Sequence, residues 1–146
     1  MNQEIKELQK ELKAIQREED KLRNKSMDIQ IKMRDIHEKE LREKVAKKFH
    51  VNDYFLSNNG VTNYHCTVFD LYEVLEVKTG RWPQIKVRHY KLGFADGDYY
   101  SHIEKENLQN FSQVGKKISK KQSEELKDII YNPELYENSK WNITED

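Results

Sequence analysis

Apolar residues recur at Ile5, Leu8, Leu12, Ile15, Leu22, Ile29, Met33 and Ile36. Steps of three and four residues put them on one stripe of an α-helix and match a seven-residue repeat. With Ile5 at position a of that repeat, the a row reads Ile5, Leu12, Glu19, Ser26 and Met33. The d row reads Leu8, Ile15, Leu22, Ile29 and Ile36. The d row is apolar throughout, whereas the a row carries Glu19 and Ser26. No glycine or proline precedes Gly60, and Glu, Lys, Gln, Arg and Leu favour a helix. The pattern predicts a coiled-coil helix over residues 1–48, serving oligomerisation. Over residues 3–48 it would be about 69 Å long at 1.5 Å per residue. A helix of that length overhangs any domain the rest of the chain can build, so its stripe needs another cover. Copies of the helix in other chains supply one. A hairpin broken at Arg23-Asn24-Lys25-Ser26 supplies the other, and the uninterrupted period favours the single helix. The polar a sites cost stability and restrict register or partner choice. After Ile36 the stripe steps to Leu41, Val45 and Phe49, turning the apolar face toward the next domain.

From Phe49 the period changes to two. Tyr54-Phe55-Leu56 reads as a short strand and Asn58-Asn59-Gly60 as a turn. Tyr64 to Lys78 is rich in Val, Thr, Tyr and Phe. There Phe69, Leu71, Leu75 and Val77 share one face, and Val68, Asp70, Tyr72, Val74 and Glu76 the other. The polar share of the second face places it toward solvent or an interface. A connection through Thr79-Gly80-Arg81-Trp82-Pro83 leads to a strand from Ile85 to Leu92. In it Ile85, Val87 and His89 alternate with Lys86, Arg88, Tyr90 and Leu92. Asp96-Gly97 marks a tight hairpin, Tyr99 to Glu104 is a further strand, and Glu106 to Phe111 reads as a helical turn. Ser119 and Gln122 fit a capping box for a helix that Asn132-Pro133 ends, with Leu126, Ile129 and Ile130 as its apolar stripe. The polar segment 134–146 is either disordered or docked on its own domain or a neighbour, with Tyr136 and Trp141 as the anchors. The fold class expected is α+β: a long N-terminal coiled-coil helix, a small antiparallel β-sheet or SH3-like barrel over residues 49–112, and a C-terminal helix in residues 113–133.

Composition sharpens this division. All 15 aromatic residues lie from Phe49 onward, so core-building material belongs to one part only. The 146 residues carry 26 Lys+Arg and 26 Asp+Glu, which removes the general electrostatic argument for a phosphate backbone or an anionic membrane. Residues 1–48 hold 14 basic and 11 acidic groups, a mixed solvated surface; residues 49–146 hold 12 and 15. One cysteine, Cys66, excludes an intrachain disulfide framework. No apolar run approaches the length of a membrane span, and the polar start is unlike a targeting peptide. The expectation is a cytoplasmic protein without a membrane partner.

Candidate chemistry is sparse. His65 and Cys66 are adjacent and point apart on a strand, His89 and His102 lie on strands that could bring them together, and no metal-ligand spacing occurs. Ser101-His102 with Asp96 and Asp98 fails as a nucleophile set, because adjacent strand residues diverge. The five glycines are isolated, so no loop cradles a phosphate. Neither a catalytic residue, a metal site nor a cofactor is expected. The partner-binding set is Arg81, Trp82, Lys86, Arg88 and Tyr90, which groups basic and aromatic side chains on one hairpin. Lys116, Lys117, Lys120 and Lys121 form a second basic cluster. Against a phosphate partner, Asp70, Glu73 and Glu76 on the neighbouring strand can neutralise Lys86, Arg88 and Lys91 across the ladder.

The order of elements is a heptad helix, then Val51-Asn52-Asp53-Tyr54-Phe55-Leu56 opening a small β domain, then a capped terminal helix. With heavy use of Lys, Asn, Glu and Ile, this resembles small phage or mobile-element proteins that antagonise host defence, including anti-CRISPR proteins and sponges for immune signalling nucleotides. The resemblance covers the whole chain as architecture and composition, and transfers no residue roles. It implies a non-catalytic inhibitor in a bacterial host cell that acts by occlusion. Its partners are then a second copy of itself, as homodimer or higher oligomer through residues 1–48, and a host protein or protein–nucleic-acid complex. The alternatives are a nucleic-acid-binding small barrel, and a sponge enclosing a small nucleotide between protomers with Arg81, Arg88 and Tyr90.

Overall fold

The computed structural model describes residues 2–60 and 65–143. Helix α1 runs unbroken from Gln3 to Lys48, so the hairpin alternative does not form. Asn2 opens it by accepting the Glu4 backbone N–H at 2.9 Å. Lys47 and Lys48 lie in its last turn, where cations complement the helix dipole. Two compact units divide the chain, residues 1–40 and 41–146. The first contains the helix alone. The second begins with the last turns of α1, which carry Val45.

The second unit is built on strands β1 (Tyr54–Asn58), β2 (His65–Lys78), β3 (Gln84–Ala95), β4 (Asp98–Leu108) and β5 (Lys116–Ile118). Helix α2 (Lys120–Tyr131) and a 3-10 turn at Pro133–Tyr136 complete it. The strands make one antiparallel sheet in the order β4-β3-β2-β1-β5. The expected SH3-like barrel therefore does not close; β4 and β5 are edges. Closure is one way to hide sheet faces, and here helical segments cover them instead. Against one face, Leu126, Ile129, Ile130 and Tyr136 pack with Leu56, Phe69, Leu71, Tyr90 and Leu92. Against the other, Val45 and Phe49 pack with Phe55, Tyr72, Val74, Ile85, Val87, Leu108 and Val114. The Phe49 ring lies 5.0 Å from Phe55 and 5.7 Å from Phe111.

Several local expectations change for non-local reasons. The second face of β2 is not solvated, because the end of α1 buries Tyr72 and Val74. Register shifts between Thr67 and Phe69 and between Val74 and Glu76 break the simple alternation. Val68 thus joins Phe69 in one core, and Val77 packs with Val74 in the other. The stretch from Glu106 is strand as far as Leu108, since Glu106 pairs with Val87 and Leu108 with Ile85. Beyond it lies a 3-10 turn at Phe111–Val114, capped by the Asn110 side chain. The unforeseen β5 adds to β1. Tyr64, the expected start of β2, lies outside the described residues, as do the tail residues 144–146.

Other local signals hold in detail. Asp96 and Gly97 take φ of 54° and 84°, as a two-residue hairpin turn between β3 and β4 requires. Ser119 and Gln122 form both bonds of the capping box. Tyr136 is fully buried, and its ring stands 6.3 Å from Phe69 and 5.4 Å from Tyr99. The Trp141 carbonyl accepts from Asn58 Nδ2 at 3.0 Å.

Gly115 joins the 3-10 turn to β5 with φ 78° and ψ −138°, and an added Cβ would run into the Leu56 carbonyl. Gly97 also has positive φ but open space around it. Gly115→Ala should destabilise the protein by about 3 kcal/mol and Gly97→Ala by about 1 kcal/mol. Urea unfolding of both variants checks the ranking; equal losses would show that the close approach to Leu56 carries no cost.

Candidate functional site

The five sequence-selected contact residues do not form one free surface. Lys86, Arg88 and Tyr90 alternate onto the sheet face that α2 covers. Tyr90 is buried in that core, with Lys127 Nζ 5.5 Å from its ring centre. Arg88 stands opposite Glu73 in the ladder and donates to its carboxylate at 3.1 Å. Lys86 stands opposite Glu76, and Lys91 opposite Asp70. The expected cross-strand match of charges is therefore present in register. Arg81 and Trp82 lie apart from these, in the turn between β2 and β3. Trp82 is 69% exposed, with the Arg81 guanidinium 5.6 Å from its ring centre. In the second basic cluster, Lys117 pairs with Asp53 at 3.3 Å.

Glu73 organises the α2 side. It is buried, accepts from the Tyr54 hydroxyl at 2.8 Å and has Lys127 Nζ at 3.7 Å. Lys127 in turn donates to the Tyr54 hydroxyl at 2.6 Å and lies 4.5 Å from its ring centre. Burial pushes the Tyr54 hydroxyl's pKa up; the Lys127 hydrogen bond pulls against it, and the Glu73 carboxylate adds to the rise. Charge-assisted bonds to one carboxylate explain how an acid persists there. The arrangement ties β1, β2, β3 and α2 together.

A second polar cluster, missed from the sequence, occupies the opposite face. His89 alternates with Ile85 and Val87, so it lies on the same face of the sheet as that core and is partly buried. Its Nε2 lies 2.6 Å from Asp70 on β2. Its Nδ1 lies 3.6 Å from Glu106 and 3.8 Å from Glu104, both on β4. The ring stacks on Tyr72 at 4.5 Å between centres. Burial by itself would lower the His89 pKa, but the Asp70 bond and charge, then Glu106, outweigh it and raise the pKa. Burial, with the charges of Asp70 and Glu106, pushes the Tyr72 hydroxyl to about 12, so it stays neutral. The signal available in the sequence was strand parity: an imidazole on an apolar face, with carboxylates on the strands either side.

Nδ1 of His89 and carboxylate oxygens of Glu104 and Glu106 all lie within 4.8 Å of one another, a spacing that also suits a divalent cation. A protonated imidazole would turn its Nδ1–H toward the same oxygens, 3.6 Å from Glu106 and 3.8 Å from Glu104. His89 and His102 do not pair directly; both approach Glu104, His102 at 3.3 Å. Ser101 stands opposite Leu92 and His102 opposite Lys91, so the two leave opposite faces of β4. Asp96 sits in the hairpin turn and Asp98 opens β4.

Because the folded-state pKa of His89 is raised, its contribution to stability is complete below the unfolded imidazole value of about 6.5. It is lost as pH rises through the folded value. Replacing Asp70 with Asn should lower the His89 pKa and flatten this decline. Imidazole NMR titration together with urea unfolding between pH 5 and 9 measures both; an unmoved His89 titration would show that Asp70 does not hold the proton. Compared with family models, curated proteins and solved structures, the chain matches none.

Proposed function

We propose that this is a non-catalytic binding protein that works as an oligomer, with α1 as its assembly element. The observation that carries this reading is the state of the helix stripe. Ile5, Leu8, Leu12, Ile15, Leu22, Ile29, Met33 and Ile36 are each between 48% and 63% exposed along one uninterrupted helix. An isolated helix gains nothing from a continuous apolar row and loses solubility by it. Covering a Leu or Ile side chain gains about 1.5–3 kcal/mol. The seven-residue spacing of the row suits another helix with the same period.

Assembly multiplies whatever the β domain binds. Two weak contacts on one oligomer act with a high effective concentration. The exposed Arg81–Trp82 pair in the β2–β3 turn is the contact point favoured by its chemistry, because Trp and Arg dominate binding energy at protein interfaces. Binding without turnover suits an inhibitor that blocks a host complex by occlusion. Tyr90 packed in the core and Arg88 held by Glu73 support the nucleic-acid and nucleotide alternatives less well. Among the described residues no helix is long and apolar enough to cross a membrane.

Light scattering on the intact protein should return a multiple of the 17.6 kDa chain mass at micromolar concentration. Leu12→Asp combined with Ile29→Asp should return the single-chain mass, with the near-UV signal of the aromatic core unchanged. A wild-type protein that stays a single chain at high micromolar concentration would end this reading.

A further inference from the structure

We infer that the partner of α1 is a second copy of the same helix running antiparallel, in one defined register. This rests on the self-assembly reading and adds direction and register to it. The observation lies beside the core seam. With Ile5 at a, the g positions are Glu4, Glu11, Glu18, Lys25, Lys32 and Lys39: three acids followed by three bases. All six side chains are exposed on the unbroken helix.

Residues at e and g flank the seam and set partner and direction. In an antiparallel pair, the g row of one helix faces the g row of the other. Sliding the copies until their a and d rows overlap fully places Glu4 beside Lys39 of the second copy, Glu11 beside Lys32 and Glu18 beside Lys25. Two-fold symmetry repeats each pair, so every g residue meets its opposite charge. Slipping by one heptad in either direction brings Lys25 against Lys25 or Glu18 against Glu18 and shortens the overlap. The charge row thus selects one register.

The core rows agree. In that register a faces d, so Glu19 meets Leu22 of the copy and Ser26 meets Ile15. In a parallel pair a faces a, and Glu19 meets Glu19 at the centre of the seam. There the g residues face e residues Gln9, Gln16, Arg23, Gln30 and His37, and Glu18–Arg23 alone joins formal opposite charges. Like charges facing each other exclude the wrong partner as effectively as opposite charges select the right one. Glu18 touches Lys21 of its own helix at 3.8 Å, but both are strongly exposed and such a pair holds weakly. Met27 and Ile31 lie at outer positions of the repeat and stay uncovered by this pairing.

Two experiments on the full chain decide the matter, both with Cys66→Ser to remove the native thiol. The first mixes a Leu8→Cys protein with a Met33→Cys protein under a mild oxidant. The antiparallel register places these positions in facing layers, within disulfide reach. A crosslink between residues 8 and 33 supports it; crosslinking of the Leu8→Cys protein to itself overturns it in favour of a parallel pair. The second is a charge swap followed by sedimentation at low salt. Glu11→Lys should weaken dimerisation about tenfold, and adding Lys32→Glu in the same chain should restore it. A double variant no tighter than the single one would refute the register. Absence of any dimer in the unsubstituted protein would instead sink the self-assembly reading, a result distinct from a dimer of the wrong direction.

Discussion

The longest strands, β2 and β3, carry apolar side chains on both faces, and that one constraint organises the second unit. A sheet that is apolar on both sides needs two covers. One comes from downstream, where α2 and the turn holding Tyr136 lie over Phe69, Leu71 and Leu92. The other comes from upstream, where Val45 and Phe49 close over Phe55, Val74 and Val87. The last turns of α1 are therefore part of the β domain's core, and the helix cannot be removed at residue 48 without opening that face. The bulges of β2 serve the same need by redistributing Val68 and Val77 between the covers.

The two polar clusters, each with part of its side chains still open to solvent, arise from this two-sided sheet. On the α2 side, Glu73 satisfies Tyr54, Arg88 and Lys127. On the other side, His89 is held among Asp70, Glu104 and Glu106. Each cluster joins side chains from three strands, and the first adds a helix, so each specifies register as well as adding charge-assisted bonds. They occupy several of the residue types that would otherwise suggest chemistry. Arg88 and Tyr90, attractive as contact residues on a flat hairpin, are instead held by the sheet and its helix. The exposed chemistry left on that hairpin is concentrated at Arg81 and Trp82.

The first forty residues obey a different logic. Their apolar stripe is as regular as a core, yet it lies open along the helix, while the g row changes sign halfway along. A row of that kind is neutral overall and still directional, which the net charge of the chain conceals. In the proposed assembly the stripe supplies the drive to pair and the charge row the direction.

Features specified by neighbours within a turn or so were readable in advance: the unbroken helix α1, the Asp96-Gly97 hairpin and the Ser119–Gln122 capping box. These depend on backbone propensity and on bonds spanning two to four residues, so the order of amino acids determines them directly. The antiparallel α+β class came from the change of period at Phe49. Tertiary structure alone decided that the sheet stays open, that β5 exists, and that β2 has no solvated face. It also decided that His89 meets Asp70, Glu104 and Glu106, side chains from two other strands. Those outcomes depend on which strands become neighbours and where a bulge shifts the pairing. Parity within a single strand shows that His89 points inward, but only the assembled ladder determines what it finds there.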